Sequence, residues 1–139
     1  MRIGILGGTG PAGRGLALRL AAAGDDVVLG SRDAERAAGV AAGLLEAWPQ
    51  HTLAISGSAN EECAACDLVV VATPWDGAVA TVRPLADALA GKVVVSMANA
   101  LTKEGREFLG LVPPRGDVVP FEPGEVVTLY SCGITPYDS

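Results

Sequence analysis

Gly8, Gly10 and Gly13 stand in the stretch GILGGTGPAGRGLALRL with the spacing G-x-G-x-x-G, and that spacing can hold a pyrophosphate. One glycine permits a tight turn, the next lets backbone N–H groups approach phosphate oxygens, and the third lets a following helix pack on the preceding strand. The helix start adds partial positive charge. Pro11 suits the first helical turn, where its missing N–H is no loss. The turn residues expected to meet the ligand are Gly7, Gly8, Thr9, Gly10, Pro11, Ala12 and Gly13.

The end of the next apolar run selects the ribose. A domain that takes NAD places an Asp or Glu there, about 20 residues beyond the turn, to accept a hydrogen bond from the 2′-hydroxyl. This chain reads VVLGSRDAERAA, with Gly30, Ser31 and Arg32 at that place. A guanidinium beside a hydroxyl donor fits a 2′-phosphate and offers a free ribose no acceptor, so NADP is the expected guest. Arg36, one helical turn beyond Arg32, supplies a second charge, and Thr9 another hydroxyl. The structural alternative makes Ser31 or Asp33 a helix N-cap and leaves Arg32 and Arg36 on a solvated face. Asp33 falls one residue later than the usual acid and is not counted for NAD.

Elements of two periods must position these residues. Short β-branched runs over 2–6, 26–29, 52–56, 68–72 and 92–96 read as strands, and alanine-rich stretches over 13–23, 33–48 and 77–90, with a short one near 59–65, read as helices. Strands apolar on both faces and separated by helices describe a parallel sheet covered on both sides. Right-handed crossovers give a Rossmann-type, doubly wound α/β domain of strand order 3-2-1-4-5, with ligands at the carboxyl ends of the strands. The domain is expected over 1–112. Beyond it, 113–139 is a proline-rich tail in which LVPPRGDVVPFEPGE disfavours a long helix or central strand, leaving 126–130 as one last strand candidate.

Composition excludes several classes. The 139 residues suit one domain, and the apolar runs are far shorter than the roughly 20 residues that cross a bilayer. No signal peptide is visible, so a cytoplasmic address without membrane attachment is expected. Ten scattered Lys and Arg residues within a net charge of −6 leave no footprint for nucleic acid. Three cysteines, Cys63, Cys66 and Cys132, are an odd number in a chain read as cytosolic and are expected to be free thiols.

With the glycine turn and the Ser-Arg pair in place, the sequence resembles the NADPH-dependent reductases of the deazaflavin coenzyme F420, the F420H2:NADP oxidoreductase family. The likeness rests on GILGGTGPAGRGLALRLA, VVLGSRDAER, EECAACDLVVVATPWDGAV and GKVVVSMAN, in order, and runs to about Leu111. It implies that Thr9, Ser31, Arg32 and Arg36 hold the 2′-phosphate, and that Ala72, Thr73, Pro74 and Trp75 lie beside the cofactor after the fourth strand, with Ala98 and Asn99 after the fifth. It implies hydride transfer between C4 of the nicotinamide and C5 of the deazaflavin, so NADP(H) and coenzyme F420 are the expected small-molecule partners. Stacking the two rings and excluding water would do the work, with no catalytic nucleophile or acid–base pair from the protein. Trp75 and Asn99 are the candidates for the hydride cleft, read otherwise as core packing and a loop-capping amide.

After LVPPRG the family's further strand and helical C-terminal portion have no visible counterpart, so the domain is expected to be truncated relative to the family. The stretch VVPFEPGEVVTLYSCGITPYDS resembles instead the start of cysteinyl-tRNA synthetase and its mycothiol-pathway cysteine ligase relative, where the cysteine matching Cys132 binds zinc. Two chains together could complete a cleft that one leaves open, which makes a homodimer a partner to test, although no stretch identifies its interface.

Rival readings have less behind them. Cys63-x-x-Cys66 could be a redox pair or half a zinc knuckle, but no second pair exists and it ends a short helix, so burial is expected. A zinc site combining Cys63, Cys66, His51 and Cys132 would have the right ligand types, but nothing in the spacing recommends it and His51 is expected to be solvated, so no metal site is expected. A short-chain dehydrogenase or sugar epimerase would need Tyr-x-x-x-Lys, and neither Tyr130 nor Tyr137 has that lysine. A non-catalytic NADPH-binding module or redox sensor remains the alternative to an enzyme.

Overall fold

The computed structural model describes residues 1–98 in full and the backbone of Leu101–Glu104 and Glu107–Gly110. Strands β1 (Arg2–Leu6), β2 (Asp26–Ser31), β3 (Ile55–Ala59), β4 (Leu68–Val71) and β5 (Val93–Ser96) form one parallel sheet in the order β3-β2-β1-β4-β5. The expected doubly wound α/β architecture is the one observed.

Alternation along each strand divides the core between two faces. Ile3, Ile5, Val27, Leu29 and Val70 join Ala17, Ala21 and Ala41, from helices α1 (Pro11–Ala22) and α2 (Ala34–Ala47). Leu6, Val28, Val69 and Val71 point the other way, among residues of α3 (Asn60–Ala64), α4 (Trp75–Val82) and α5 (Ala86–Leu89). Small residues let the layers approach. A Cβ on Gly57 would lie 2.1 Å from the Ala37 backbone of α2, and one on Gly4 would lie 2.2 Å from the Cys63 carbonyl oxygen of α3.

Most element boundaries shift by one or two residues, and three differences from expectation are larger. The third strand begins at Ile55 rather than Thr52, because its register follows Val27–Ser31 of β2 and Gly57 must sit under α2. The long helix expected over 77–90 begins at Trp75 and breaks into α4, a 3-10 turn over Arg83–Leu85 and α5. Pro84 accounts for the break, since it donates no N–H and its ring crowds the preceding turn. Beyond the sheet, β6 (Leu101–Glu104) and β7 (Glu107–Gly110) pair antiparallel, a hairpin absent from the expected elements. The tail of 113–139, with Cys132, Tyr130, Tyr137 and the strand candidate at 126–130, lies outside the described residues, as does Asn99.

Cys63 and Cys66 are buried free thiols, as expected. The Cys63 thiol donates to the Val28 carbonyl at 3.5 Å, and burial chiefly, then the neighbouring Cys66, pushes its pKa from 9.0 up to about 12. Burial raises Cys66 as well. Above pH 9.0 the unfolded chain releases a thiol proton that folded Cys63 keeps until about 12, so the unfolded state gains and stability falls as pH rises through that window. Urea unfolding at about pH 8 and about pH 10.5 should show this loss in the native chain and a smaller loss in Cys63→Ala.

Candidate functional site

A cleft of about 940 Å³ opens at the carboxyl ends of the strands, bordered by Gly7 after β1, Ser31 of β2, Asn60 after β3, Ala72 after β4 and Met97 after β5. This is where an open parallel sheet binds ligands, because the loops diverge where the winding reverses.

The glycines of the turn have different duties. Gly7 takes φ +65°, and a Cβ there would lie 2.5 Å from the Thr73 Cγ2. Gly8 is buried, and its N–H is shared between the Ile5 carbonyl at 3.1 Å and the Gly30 carbonyl at 2.9 Å. A Cβ on Gly13 would lie 2.4 Å from the Gly8 carbonyl oxygen, so Gly13 lets α1 press onto the turn. Gly10 differs from these. Its φ is −77°, and an added Cβ would meet nothing within 4 Å. Neither conformation nor internal packing requires glycine there, yet Gly10 lines the cleft. What its missing side chain leaves room for lies outside the protein. No side chain caps α1, so the N–H groups of its first turn face outward without intrahelical partners.

At the end of β2, the Asp33 N–H donates to Ser31 Oγ at 3.2 Å and the Arg36 N–H donates to Asp33 Oδ1 at 3.1 Å. Asp33, rather than Ser31, is therefore the N-cap of α2, and Ser31 remains the last residue of the strand. Ser31, Arg32 and Arg36 all border the cleft. Among the described residues the ion pairs are those of the Met1 amino group with Asp25 and of Arg2 with Asp26, so neither Arg32 nor Arg36 is neutralised.

The opposite end of the cleft is largely apolar, with Ala72, Thr73, Pro74 and Trp75 leading into α4 and Met97 and Ala98 following β5. Thr73 Oγ1 is sealed from the cleft and has no hydrogen-bond partner among the described residues, a costly state for a hydroxyl. Gly77, Ala80, Thr81 and Pro84 form the wall beside it.

Of the residues expected at the site, Gly7, Thr9, Gly10, Pro11, Ala12, Ser31, Arg32, Arg36, Ala72, Thr73, Pro74, Trp75 and Ala98 line this one cleft. Gly8 and Gly13 lie beneath it and shape the turn. Asn60, Glu61, Met97 and the α4 wall were not anticipated. The wall had a signal, since positions 77, 80, 81 and 84 share a helical face, beside the core face of Ala78, Val82, Leu85 and Leu89. Asn60 had none, lying among small polar residues in SGSANEE.

His51 is exposed, while Cys63 and Cys66 are buried. No group of three or more His, Cys, Asp or Glu side chains among the described residues could hold a metal ion. Nor is any helix among them long and apolar enough to cross a membrane.

Residues 2–100 match the family described as NADP oxidoreductase, coenzyme F420-dependent. The chain belongs to that family. It is similar to the F420-dependent NADP reductase of Methanothermobacter marburgensis, 42% identical over 96 residues that make up 68% of this chain and 43% of the relative. It is also similar to the F420-dependent NADP reductase of Methanocaldococcus jannaschii, 37% identical over 125 residues, 85% of this chain and 55% of the relative. Among solved structures, a protein assigned as an F420-dependent NADP reductase from Arthrobacter sp. FB24 superimposes with a TM-score of 0.64 at 34% identity, covering 79% of this chain and 50% of that one. The chain thus spans about half the length of the F420-dependent NADP reductases it matches.

Proposed function

We propose that the cleft binds NADP(H) and presents its nicotinamide for hydride exchange with coenzyme F420. The pairing of Ser31 with two arginines, Arg32 and Arg36, that form no ion pair among the described residues, beside an open glycine turn, carries the reading. The arginines and Ser31 would hold the 2′-phosphate, with Thr9 nearby. The first-turn N–H groups of α1 would hold the pyrophosphate across Gly10. Thr73, Pro74, Trp75, Ala98 and Asn99 would border the nicotinamide.

The cofactor when bound supplies the hydride, and the protein's part is orientation. Trp75 and Met97 would limit the approach of water to the apolar end, and the glycine turn would fix the distance between the anchored phosphates and that end. Reduction of the deazaflavin also takes up one proton, which would come from solvent, so no side chain is required to exchange it in this scheme. The domain would extend over 1–112, with 113–139 a separate tail, and a homodimer would close what one chain leaves open.

Titration with NADPH and NADH, followed by nicotinamide fluorescence, tests binding; addition of F420 with its absorbance followed tests transfer. Tight binding of NADPH over NADH with F420 reduction is the expected result. Binding without turnover would make the chain an NADPH-binding module, and binding of neither nucleotide would sink the proposal.

A further inference from the structure

Asn60 is a buried polar side chain at the cleft, with 8% of its surface exposed. The Gly7 N–H donates to its Oδ1 at 3.2 Å. A backbone N–H can only donate, so this contact identifies the oxygen end of the amide and leaves the nitrogen end facing elsewhere. Among the described residues Asn60 Nδ2 donates to no protein group, and it is not among the sealed polar atoms. Its two N–H groups therefore have the cleft as their outlet.

The surroundings hold this orientation. A Cβ on Gly30 would lie 2.7 Å from Asn60 Oδ1, so the missing side chain at Gly30 is what allows Asn60 to reach from β3 past the end of β2 to the glycine turn. Asn60 follows β3, on the Arg32 side of the turn, whereas Trp75 and Met97 follow β4 and β5 on the other.

We infer that Asn60 is an anchoring residue for the adenosine half of the dinucleotide: Gly7 fixes its oxygen, and its Nδ2 donates to an acceptor atom on that half. The inference rests on the NADP(H) reading above and adds to it a donor that the fingerprint does not contain. It also couples the two ends of the contact, since the group that meets the ligand is oriented by the turn that cradles the pyrophosphate.

Asn60→Asp separates this role from a structural one. A carboxylate oxygen accepts from the Gly7 N–H as an amide oxygen does, so the turn is kept, while the donor becomes a negatively charged acceptor. The expected result is about tenfold or greater weakening of NADPH and of adenosine 2′,5′-bisphosphate binding, with the melting temperature little changed. In the wild-type chain, the assigned 15N side-chain amide signals of Asn60 should shift on addition of adenosine 2′,5′-bisphosphate and stay in place with nicotinamide mononucleotide, a readout that does not depend on the variant's folding. Wild-type affinity in Asn60→Asp, or an unmoved amide signal with the bisphosphate bound, would confine Asn60 to shaping the turn and overturn the inference. Failure of the wild-type chain to bind either NADPH or the bisphosphate would instead remove the cofactor reading, and this inference with it.

Discussion

Arg32→Glu is expected to weaken NADPH binding by about 1.5–3 kcal/mol, the range for a hydrogen bond to a charged group, while leaving NADH binding little changed. The asymmetry follows from where the charge sits. Arg32 is exposed, borders the cleft directly after Ser31 and has no ion-pair partner among the described residues. Its loss therefore uncovers no buried carboxylate and disturbs no core contact. Asp33 continues to cap α2 through the Arg36 N–H at 3.1 Å, so the helix that carries the second arginine stays in place. NADH lacks the 2′-phosphate and would not feel the removed guanidinium. The introduced carboxylate could even accept from the 2′-hydroxyl, as the acid of NAD-specific domains does. Parallel titrations of the variant and the native chain at one ionic strength decide the matter, because exposed charges are screened by salt. Equal losses for both nucleotides would mean that Arg32 shapes the site rather than reading the phosphate.

The features that could be read in advance are those written in a pattern along the chain. The run from β1 through the glycine turn to α1 is a single strand-turn-helix unit, and its spacing alone places Gly7 to Gly13. The strand order follows from alternation of strands and helices, with apolar residues on both faces of Val27–Leu29 and Val69–Val71. Features set by distant partners were less legible. The start of β3 depends on its register with β2 and on the close approach of Gly57 to α2. Asn60 acquires its place only because Gly30 leaves room across the sheet. The wall at Gly77, Ala80, Thr81 and Pro84 was written in the chain at helical spacing, but as small residues, which advertise neither charge nor hydrophobicity.

Gly13→Ala should cost more stability than a single methyl group usually does, whereas Gly10→Ala should cost almost none and instead weaken the nucleotide. The two positions belong to the same motif and differ in what stands opposite their Cα hydrogens. At Gly13 the new Cβ would lie 2.4 Å from the Gly8 carbonyl oxygen and 2.5 Å from the Gly8 Cα. Those atoms are backbone, and Gly8 is itself held by its N–H to the Ile5 and Gly30 carbonyls. Relief therefore requires α1 to move off the sheet, which would loosen the burial of Ala17 and Ala21 against Ile3 and Ile5. Forcing one group into a filled site typically costs 1–3 kcal/mol and occasionally more, and a rigid backbone obstacle places Gly13→Ala at about 3 kcal/mol or above. At Gly10 no atom lies within 4 Å of the new Cβ and φ is already −77°, so alanine fits the protein fold. Replacing glycine there also lowers the entropy of the unfolded chain, which favours folding slightly. The methyl group would occupy space that a pyrophosphate needs in order to reach the first N–H groups of α1. Thermal unfolding and NADPH titration of both variants should thus give opposite patterns: a large fall in melting temperature for Gly13→Ala, and a normal melting temperature with weakened NADPH binding for Gly10→Ala. If Gly10→Ala binds NADPH as the native chain does, the pyrophosphate does not cross that face of the turn.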